Sequence, residues 1–376
     1  GIVPVISPVA NLLVVPVVSL VVLPLSFLAG GAVFAFPALA DVVIVPIEFQ
    51  LEAVKFIIDI CAQMPQLHVA PISAVTLLFL VISCAGLLSM PDGRRLIVLL
   101  PAWLSWLASV DAGVPPGEFQ VTVLDVGQGS AIIVDTSRHR LLFDTAPKYP
   151  GGFDLGAVAV VPAILATGAR VLDRVVLSHD DSDHTGGFAA VEGAVKIGSV
   201  WSSQAAAADL PNVRRCRAGT RWRWDDVDFA FLHPPSGFEG SDNEHSCVLR
   251  IGNHRRRVLL PGDIGRKTER RLLQEQELAV DLLLAPHHGS GTSSSPRWVQ
   301  ASNPQFVFVS APRRSQYGHP QPAVVERYVK RGAQVFVTGR HGALRWRSWL
   351  DEPPLRWRYD RAAYWTNQLP AQAQTR

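Results

Sequence analysis

The chain has 376 residues, 18% of them charged, and a formal net charge of +3, a length that suggests two to three domains. The charge is unevenly spread: residues 1–110 hold eight charged side chains and a net −2, whereas the remainder holds 32 of the 35 Lys and Arg, 27 of the 32 Asp and Glu, and a net +5. That split excludes one uniformly soluble globule, and with no basic stretch ahead of a short apolar core the first run does not read as a secretory signal peptide.

In chain order, Ile2 to Ala40 carries no charged residue. About 20 apolar residues suffice for one membrane span, so this run has room for two, broken near Pro24 to Gly31. Pro4, Pro8, Pro16 and Pro24 interrupt it; at membrane depth prolines are tolerated where neighbouring helices or a water-filled cavity satisfy the freed carbonyls. Pro46–Met64 sets Ile47, Leu51, Val54, Ile58 and Cys61 at three- and four-residue spacing against Glu48, Glu52, Lys55 and Asp59, the pattern of an amphipathic helix on a membrane surface. Ala70–Met90 reads as another span and Leu96–Val110 as a short one. Arg94 and Arg95 lie in the turn between them, which the positive-inside rule assigns to the cytoplasm; everything beyond about Asp111 is then expected on the outer face. The opening at Gly1, inside an apolar run, leads us to expect a fragment of a longer polytopic protein.

Residues 111–118 are a linker by their Gly and Pro content. Short β-rich runs follow at Phe119–Leu124, Ser130–Asp135, Arg140–Phe143, Arg174–Leu177, Phe229–Leu232, Ser246–Ile251, Arg257–Leu260, Leu282–Ala285, Phe306–Ser310 and Gln334–Thr338. Helical patterns intervene at Ala157–Thr167, Lys267–Glu277 and Pro322–Arg331. Strands alternating with helices predict a layered α/β domain over 119–376. Polar residues follow directly on five of the strands: Leu124-Asp125, Phe143-Asp144, Leu177-Ser-His179, Leu260-Pro-Gly-Asp263 and Ala285-Pro-His287-His288. Strand ends along one sheet edge are where open α/β folds gather ligands, so these endings are expected to converge.

The densest of them is His179-Asp-Asp181-Ser-Asp183-His184, followed by Gly186-Gly187. Burying that much charge is costly unless it is paired or bound to metal. Imidazole and carboxylate suit zinc, manganese or iron, and alternation along a tight loop would let His179 and Asp181 serve one ion while Asp183 and His184 serve the other. Gly127-Gln-Gly129 lacks the third glycine of a dinucleotide fingerprint and reads as a tight turn. Cys216 and Cys247 stand at no recognisable ligand spacing; they are read as buried free thiols in preference to a pair formed in an oxidising compartment.

Ser-His-x-Asp-x-Asp-His-x-Gly-Gly resembles the metal motif of the metallo-β-lactamase superfamily, with Asp181 where the broader family usually has histidine. Leu260-Pro-Gly-Asp263-Ile resembles its bridging-carboxylate segment, and Pro286-His287-His288-Gly289 its late histidine. The resemblance implies an αββα sandwich, two divalent metal ions (zinc or manganese), His288 as a ligand and His287 as a contact to substrate phosphate. Val123-Leu-Asp125-Val-Gly127-Gln128-Gly129, Asn243-x-x-Ser246-Cys247 and Tyr317-Gly-His319-Pro, with Ile6-Ser-Pro8 and Asn11-Leu-Leu-x-x-Pro16, narrow it to ComEC-type DNA-internalisation competence proteins. The implied ligand set is His179, Asp181, Asp183, His184, Asp263 and His288, with Asp183, His287 and His319 in catalysis. His233, His245 and His254 lie where many superfamily members supply a further ligand, and none is assigned as one.

The family resemblance implies passage of DNA through the inner membrane, a metal-dependent nuclease degrading the strand that is not transported, and contact with other competence-machinery proteins. Two other readings stand beside it: a membrane-tethered phosphoesterase acting on a small or lipid-linked phosphodiester, and a non-catalytic DNA-binding gate. Arg215, Arg221 and Arg223, interleaved with Trp222, suit contact with a DNA backbone and stacking on its bases. A basic strand with its tryptophans packed inward fits the same residues equally well.

Overall fold

The computed structural model describes residues 2–4, 6–35, 40–62, 66–68, 78–79, 81–83, 113–203 and 213–361. The chain divides into two compact units, Gly1–Val110 with Ala166–Gly168, and Asp111–Leu165 with Ala169–Arg376.

In the first unit, one helix runs without a break over Ser7–Gly31 at a mean hydropathy of 2.7, and among the described residues it alone is long and apolar enough to cross a membrane. This corrects the expectation of two spans broken near Pro24. A proline removes an N–H from the helical ladder, and here the preceding turn, Val18–Val22, widens to a π-helical register in which the Leu23 amide reaches the Val18 carbonyl. Such a turn absorbs the misfit inside a continuous helix. A second helix, Ala40–Ala62, covers the predicted amphipathic stretch as far as Ala62, the rest lying outside the described residues; its Ile47 joins Val22 and Ala29 in a small buried cluster, while Phe49 and Phe56 stay exposed. The spans expected at 70–90 and 96–110 lie outside the described residues, apart from helical residues 78–79 and 81–83.

The second unit holds two facing sheets. The first takes β1 (Gln120–Val123), β2 (Ile132–Asp135), β3 (Arg140–Phe143), β4 (Arg174–Leu177), β5 (Val200–Ser202) and β6 (Val213–Arg215). The second takes β7 (Arg221–Trp224), β8 (Val227–His233), β9 (Val248–Gly252), β10 (Arg257–Leu260), β11 (Leu282–Leu284), β12 (Phe306–Val309) and β13 (Gln334–Val337). The chain then returns to the first sheet with β14 (Leu344–Arg347) and β15 (Leu355–Arg356), giving orders β6-β5-β4-β3-β2-β1-β14-β15 and β7-β8-β9-β10-β11-β12-β13. Each of the ten predicted strands is present.

Alternation assigns the residues to layers, because successive side chains of a strand point to opposite faces. Leu141 and Phe143, Phe229 and Phe231, Leu249 and Ile251, and Phe306 and Phe308 fill the space between the sheets. Their neighbours Leu142, Val175 and Leu177 turn outward under α1 (Gly156–Leu165) and α2 (Phe188–Ala194). On the other sheet Leu259, Leu283 and Val307 pack under α3 (Arg266–Glu275), α4 (Pro296–Ser302) and α5 (Pro322–Lys330). The result is the predicted αββα sandwich.

Cys216 and Cys247 form a disulfide with Cα atoms 6.0 Å apart, which corrects the free-thiol expectation. The two are 31 residues apart in sequence, but one follows β6 and the other precedes β9, so the sandwich sets them face to face between its sheets. No sequence spacing announces a pair that only sheet stacking creates.

A candidate metal centre at the ends of the strands

The C-terminal ends of β3, β4, β10 and β11 lie along one edge, and each delivers one part of the site. β4 runs into the loop carrying His179, Asp181, Asp183 and His184. β10 ends at Asp263, β11 at His287 and His288, and β3 at Asp144. Two glycines let the metal loop settle there. A Cβ at Gly129 would lie 2.2 Å from the Asp183 carbonyl oxygen, and one at Gly187 would lie 2.1 Å from that of Thr145; neither position has room for a side chain. The tight turn at Gly127–Gly129 therefore serves as the seat of the loop.

Two groups of ligand atoms lie within 4.8 Å of one another: His179, His184 and Asp263, and Asp183, His184 and His288. The His184 Nε2 is 3.4 Å from an Asp263 oxygen and 3.9 Å from Asp183. The His288 Nε2 is 3.4 Å from Asp183 and 3.3 Å from Asp263. His184 thus stands in both groups, a different partition from the pairing expected along the loop. Asp181 falls outside both, with its Oδ2 3.3 Å from the His179 Nε2 and its side chain 44% exposed.

Each of the three buried imidazoles is held by its far nitrogen. His184 Nδ1–H donates to Asp144 Oδ2 at 2.7 Å. The Ser178 hydroxyl donates to the same carboxylate at 3.0 Å and takes the His179 Nδ1–H at 2.9 Å. His288 Nδ1–H donates to the Ser310 carbonyl at 2.9 Å. A proton fixed on Nδ1 leaves the lone pair on Nε2, the tautomer a metal ligand needs, and all three Nε2 atoms face the centre. The His179 Nε2 is fully buried and makes no hydrogen bond of normal geometry, its neighbour being the Asp181 carboxylate at 3.3 Å. This donor set, three buried imidazole nitrogens facing carboxylate oxygens, fits divalent metal ions.

Asp144 and Ser178 were not among the predicted site residues, although Phe143-Asp144 had been noted as a strand ending. Asp144 is completely buried and also takes the Ser178 amide at 2.7 Å. Ser246, of the Asn-x-x-Ser stretch, accepts the Asp263 amide at 3.0 Å and donates to the Asn243 carbonyl, so it fixes the backbone of Asp263, whose carboxylate lies near both His184 and His288. Asp144, His287 and His288 all adopt positive φ (61°, 52° and 54°). For residues with a Cβ that conformation costs about 1–3 kcal/mol each, and its concentration at one edge is typical of functional sites.

The charges respond to this crowding. Burial by itself would raise Asp183, but His288 and His184 outweigh it and hold the carboxyl down to about 2. Burial would likewise deprotonate His288, yet Asp263 and Asp183 hold its proton up to about 9. Asp263 is held well below its ordinary range and His184 well above, for the same reciprocal reason. His287 is partly exposed, with its Nε2 3.8 Å from Asp263, and burial keeps it neutral. Its ring stands 5.8 Å from that of His319, whose Nδ1 is buried without a partner. His233 bonds the Glu244 carbonyl and His245 that of Phe238, so both are occupied structurally.

Residues 1–94 match the family model "Competence protein", and residues 124–304 match that of the metallo-beta-lactamase superfamily. The chain joins a competence domain to a metallo-beta-lactamase domain. It is 35% identical to competence protein ComA of Neisseria gonorrhoeae over 91% of its own length and 48% of that protein's. It is 31% identical to recombination protein 2 of Haemophilus influenzae, covering 60% of this chain and 28% of the relative. The chain thus spans less than half the length of these curated relatives. Among solved structures, the metallo-beta-lactamase fold protein YhfI from Bacillus subtilis aligns at 13% identity and a TM-score of 0.42, covering 61% of this chain and 99% of that one. A metallo-beta-lactamase domain implies binding of divalent metal, and in this one the His and Asp groups meet at the strand ends.

The four residues proposed for nucleic acid do not form one strip. Arg215 is exposed on β6 of the first sheet, whereas Arg221 and Arg223 are exposed on β7 of the second. Trp222 is not an open stacking platform. It packs against the core between the sheets, lies parallel to Phe229 at 5.0 Å and carries the Arg174 guanidinium 4.0 Å from its centroid. Alternation on an edge strand turns Arg outward and Trp inward, and of the two readings open for this run the second describes Trp222.

Proposed function

We propose that this domain is a metal-dependent phosphodiesterase acting on DNA, and that within its parent protein it degrades one strand while the other crosses the inner membrane. The observation that carries the reading is the convergence of three Nδ1-tethered imidazoles on Asp183 and Asp263. His179, Asp181, Asp183, His184, Asp263 and His288 would hold two divalent ions, zinc or manganese. When bound, such ions lower the pKa of water and stabilise charge on an attacked phosphorus.

The chain's own groups do the rest. Asp144 and Ser178 keep the imidazole lone pairs aimed inward, and Ser246 keeps Asp263 between the two ligand groups. Asp183, anionic far below neutrality, accepts a hydrogen bond from the attacking water. His287 and His319, both neutral and at the open side of the buried ligands, donate to phosphate oxygens. The Ser7–Gly31 helix supports a membrane setting, in which residues 1–110 would cross the inner membrane more than once. A buried disulfide is a mark of oxidising compartments, which supports an outer-face position for the hydrolase domain and, with it, contact with incoming DNA and other competence proteins.

The test uses the full chain in detergent, stripped of metal, with manganese, zinc or magnesium restored in turn. Cleavage of labelled single- and double-stranded DNA is followed beside a small phosphodiester, with Asp183→Ala and His288→Ala as controls. The reading expects DNA cleavage that needs metal and disappears in both variants. Turnover of the small ester alone points to a tethered phosphoesterase, and metal binding without any turnover to a gate; either result ends the nuclease reading.

A further inference from the structure

Far from the metal ligands, the outer face of the second sheet carries a second array of charges. Strand register sets them in two rows. Arg221 of β7 lies opposite Ala230 of β8, which lies opposite Arg250 of β9. In the next row on the same face, Arg223 lies opposite Asp228, Asp228 opposite Gly252, and Gly252 opposite Arg257 of β10. Neighbouring strands are about 4.8 Å apart, so Arg221 and Arg250 rise roughly 10 Å apart with only a methyl group between them. The small residues Ala230 and Gly252 floor an open recess of about 570 Å³, and the four arginines wall it.

The recess is electrically incomplete. Arg223 is matched by Asp226 and Asp228, and Arg257 by Glu277. Arg221 and Arg250 have no carboxylate within ion-pair distance among the described residues; Arg250 is satisfied only by the Glu277 carbonyl at 3.2 Å. Burial and the charges of Arg257 and Arg221 together push the Arg250 guanidinium below its ordinary value. Like charges held together around a hollow form a receptor for an anion, and the planar fork of arginine suits phosphate oxygens.

We propose that this recess is a binding site for the phosphate backbone of a single nucleic-acid strand, separate from the metal centre. The rows favour a strand. Arg221 and Arg223 stand two residues apart on β7, about 6.8 Å along the strand, a repeat close to the phosphate spacing of an extended chain.

Binding of a fluorescent oligothymidylate to the metal-free full chain in detergent tests this without any cleavage, over a range of salt concentrations. Each phosphate contact contributes about −0.7 to the slope of log affinity against log salt for single strands. Arg221→Gln with Arg250→Gln should therefore flatten the slope by about 1.4 and weaken binding about tenfold near physiological salt. Arg221→Gln with Arg223→Gln, both on the exposed edge strand, should flatten the slope in the same direction, so that misfolding around half-buried Arg250 cannot mimic the result. An unchanged slope in both pairs overturns the proposal. Loss of binding to phosphatidylglycerol vesicles with oligonucleotide binding intact overturns it in favour of a lipid headgroup. Because binding is read without metal and cleavage with metal restored, a chain that binds DNA here yet hydrolyses nothing once metal is returned would retire the nuclease reading and leave this site standing, and the reverse outcome would do the opposite.

Discussion

The two ends of the sandwich solve one problem in opposite ways. At the metal end, Asp144 is buried at positive φ and bonds His184. At the other end, in the β7–β8 turn, Asp225 has a covered side chain, 2% exposed on a partly exposed backbone, also at positive φ (48°), and bonds His139 at 3.0 Å. Asp225 also takes the Thr136 hydroxyl and the Arg138 amide and guanidinium. Burial would raise its carboxyl, but these hydrogen bonds, led by His139, hold it well below the usual range. His139 is a third exposed and stacks on Trp224 at 4.9 Å. There every charge has its answer within the protein. At the metal end the histidine is enclosed and its free nitrogen points at more ligands. A buried Asp–His pair is therefore no site in itself; a site is where the lone pairs remain unanswered.

The strongest way to break this contrast is His184→Ala, since that imidazole belongs to both ligand groups. Metal affinity should fall by more than about 100-fold, the upper range for groups that only orient a ligand, as read by metal titration. Retained affinity would show that the two groups do not act together. Next comes the disulfide, which fastens the metal end: the Cys247 amide donates to the Ser178 carbonyl at 2.8 Å. Replacing both cysteines with alanine should cost about 3–4 kcal/mol from released chain entropy and weaken metal binding with it. Denaturant unfolding with and without metal separates the two losses.

Asp225→Ala and Asp144→Asn sharpen the contrast as a pair. Loss of Asp225 removes the common acceptor of the buried Thr136 hydroxyl, His139 and Arg138 and should destabilise the fold by about 1–2 kcal/mol, with metal affinity unchanged. Asp144→Asn should instead lower metal affinity about 10–100-fold. Equal metal loss in both variants would erase the distinction between the ends.

The smallest expected effect is on protons. In the metal-free chain His288 keeps its proton up to about 9, against roughly 6.5 when unfolded. Its contribution to stability is complete below about 6.5 and is lost as the pH rises through 9. Metal needs the neutral imidazole, so apparent affinity should climb over that window and level off above it. Calorimetry at pH 7 in buffers of different ionisation enthalpy should register at least one proton released, and none would contradict the assignment of His288.

The layers were legible because the central strands are short unbroken apolar runs: Leu141-Leu-Phe143 and Phe306-Val-Phe-Val309 are buried on both faces, as strands between two covering layers are. The strands that escaped prediction are short or charged. Val200–Ser202 and Val213–Arg215 have three residues each, and Arg221-Trp-Arg-Trp224 and Leu344-Arg-Trp-Arg347 alternate basic and aromatic residues, a pattern shared by edge strands and by nucleic-acid surfaces. At the metal end, the histidines and aspartates showed in the sequence through sheer density. Asp144, Ser178 and Ser310 did not, because their role depends on which nitrogen of a distant imidazole they reach. The Cys216–Cys247 bond was hidden for a similar reason, being a product of sheet stacking.

The sharing of His184 carries a consequence for stoichiometry. An imidazole nitrogen has one lone pair, so His184 commits to a single ion at any moment. If two ions bind at once, His179, Asp181, Asp183, His184 and His288 would have to be divided between them, and Asp263, with its two oxygens, is the residue that could serve both. Seven protein donors would then face the eight positions of two tetrahedral shells, leaving room for an oxygen from outside the protein.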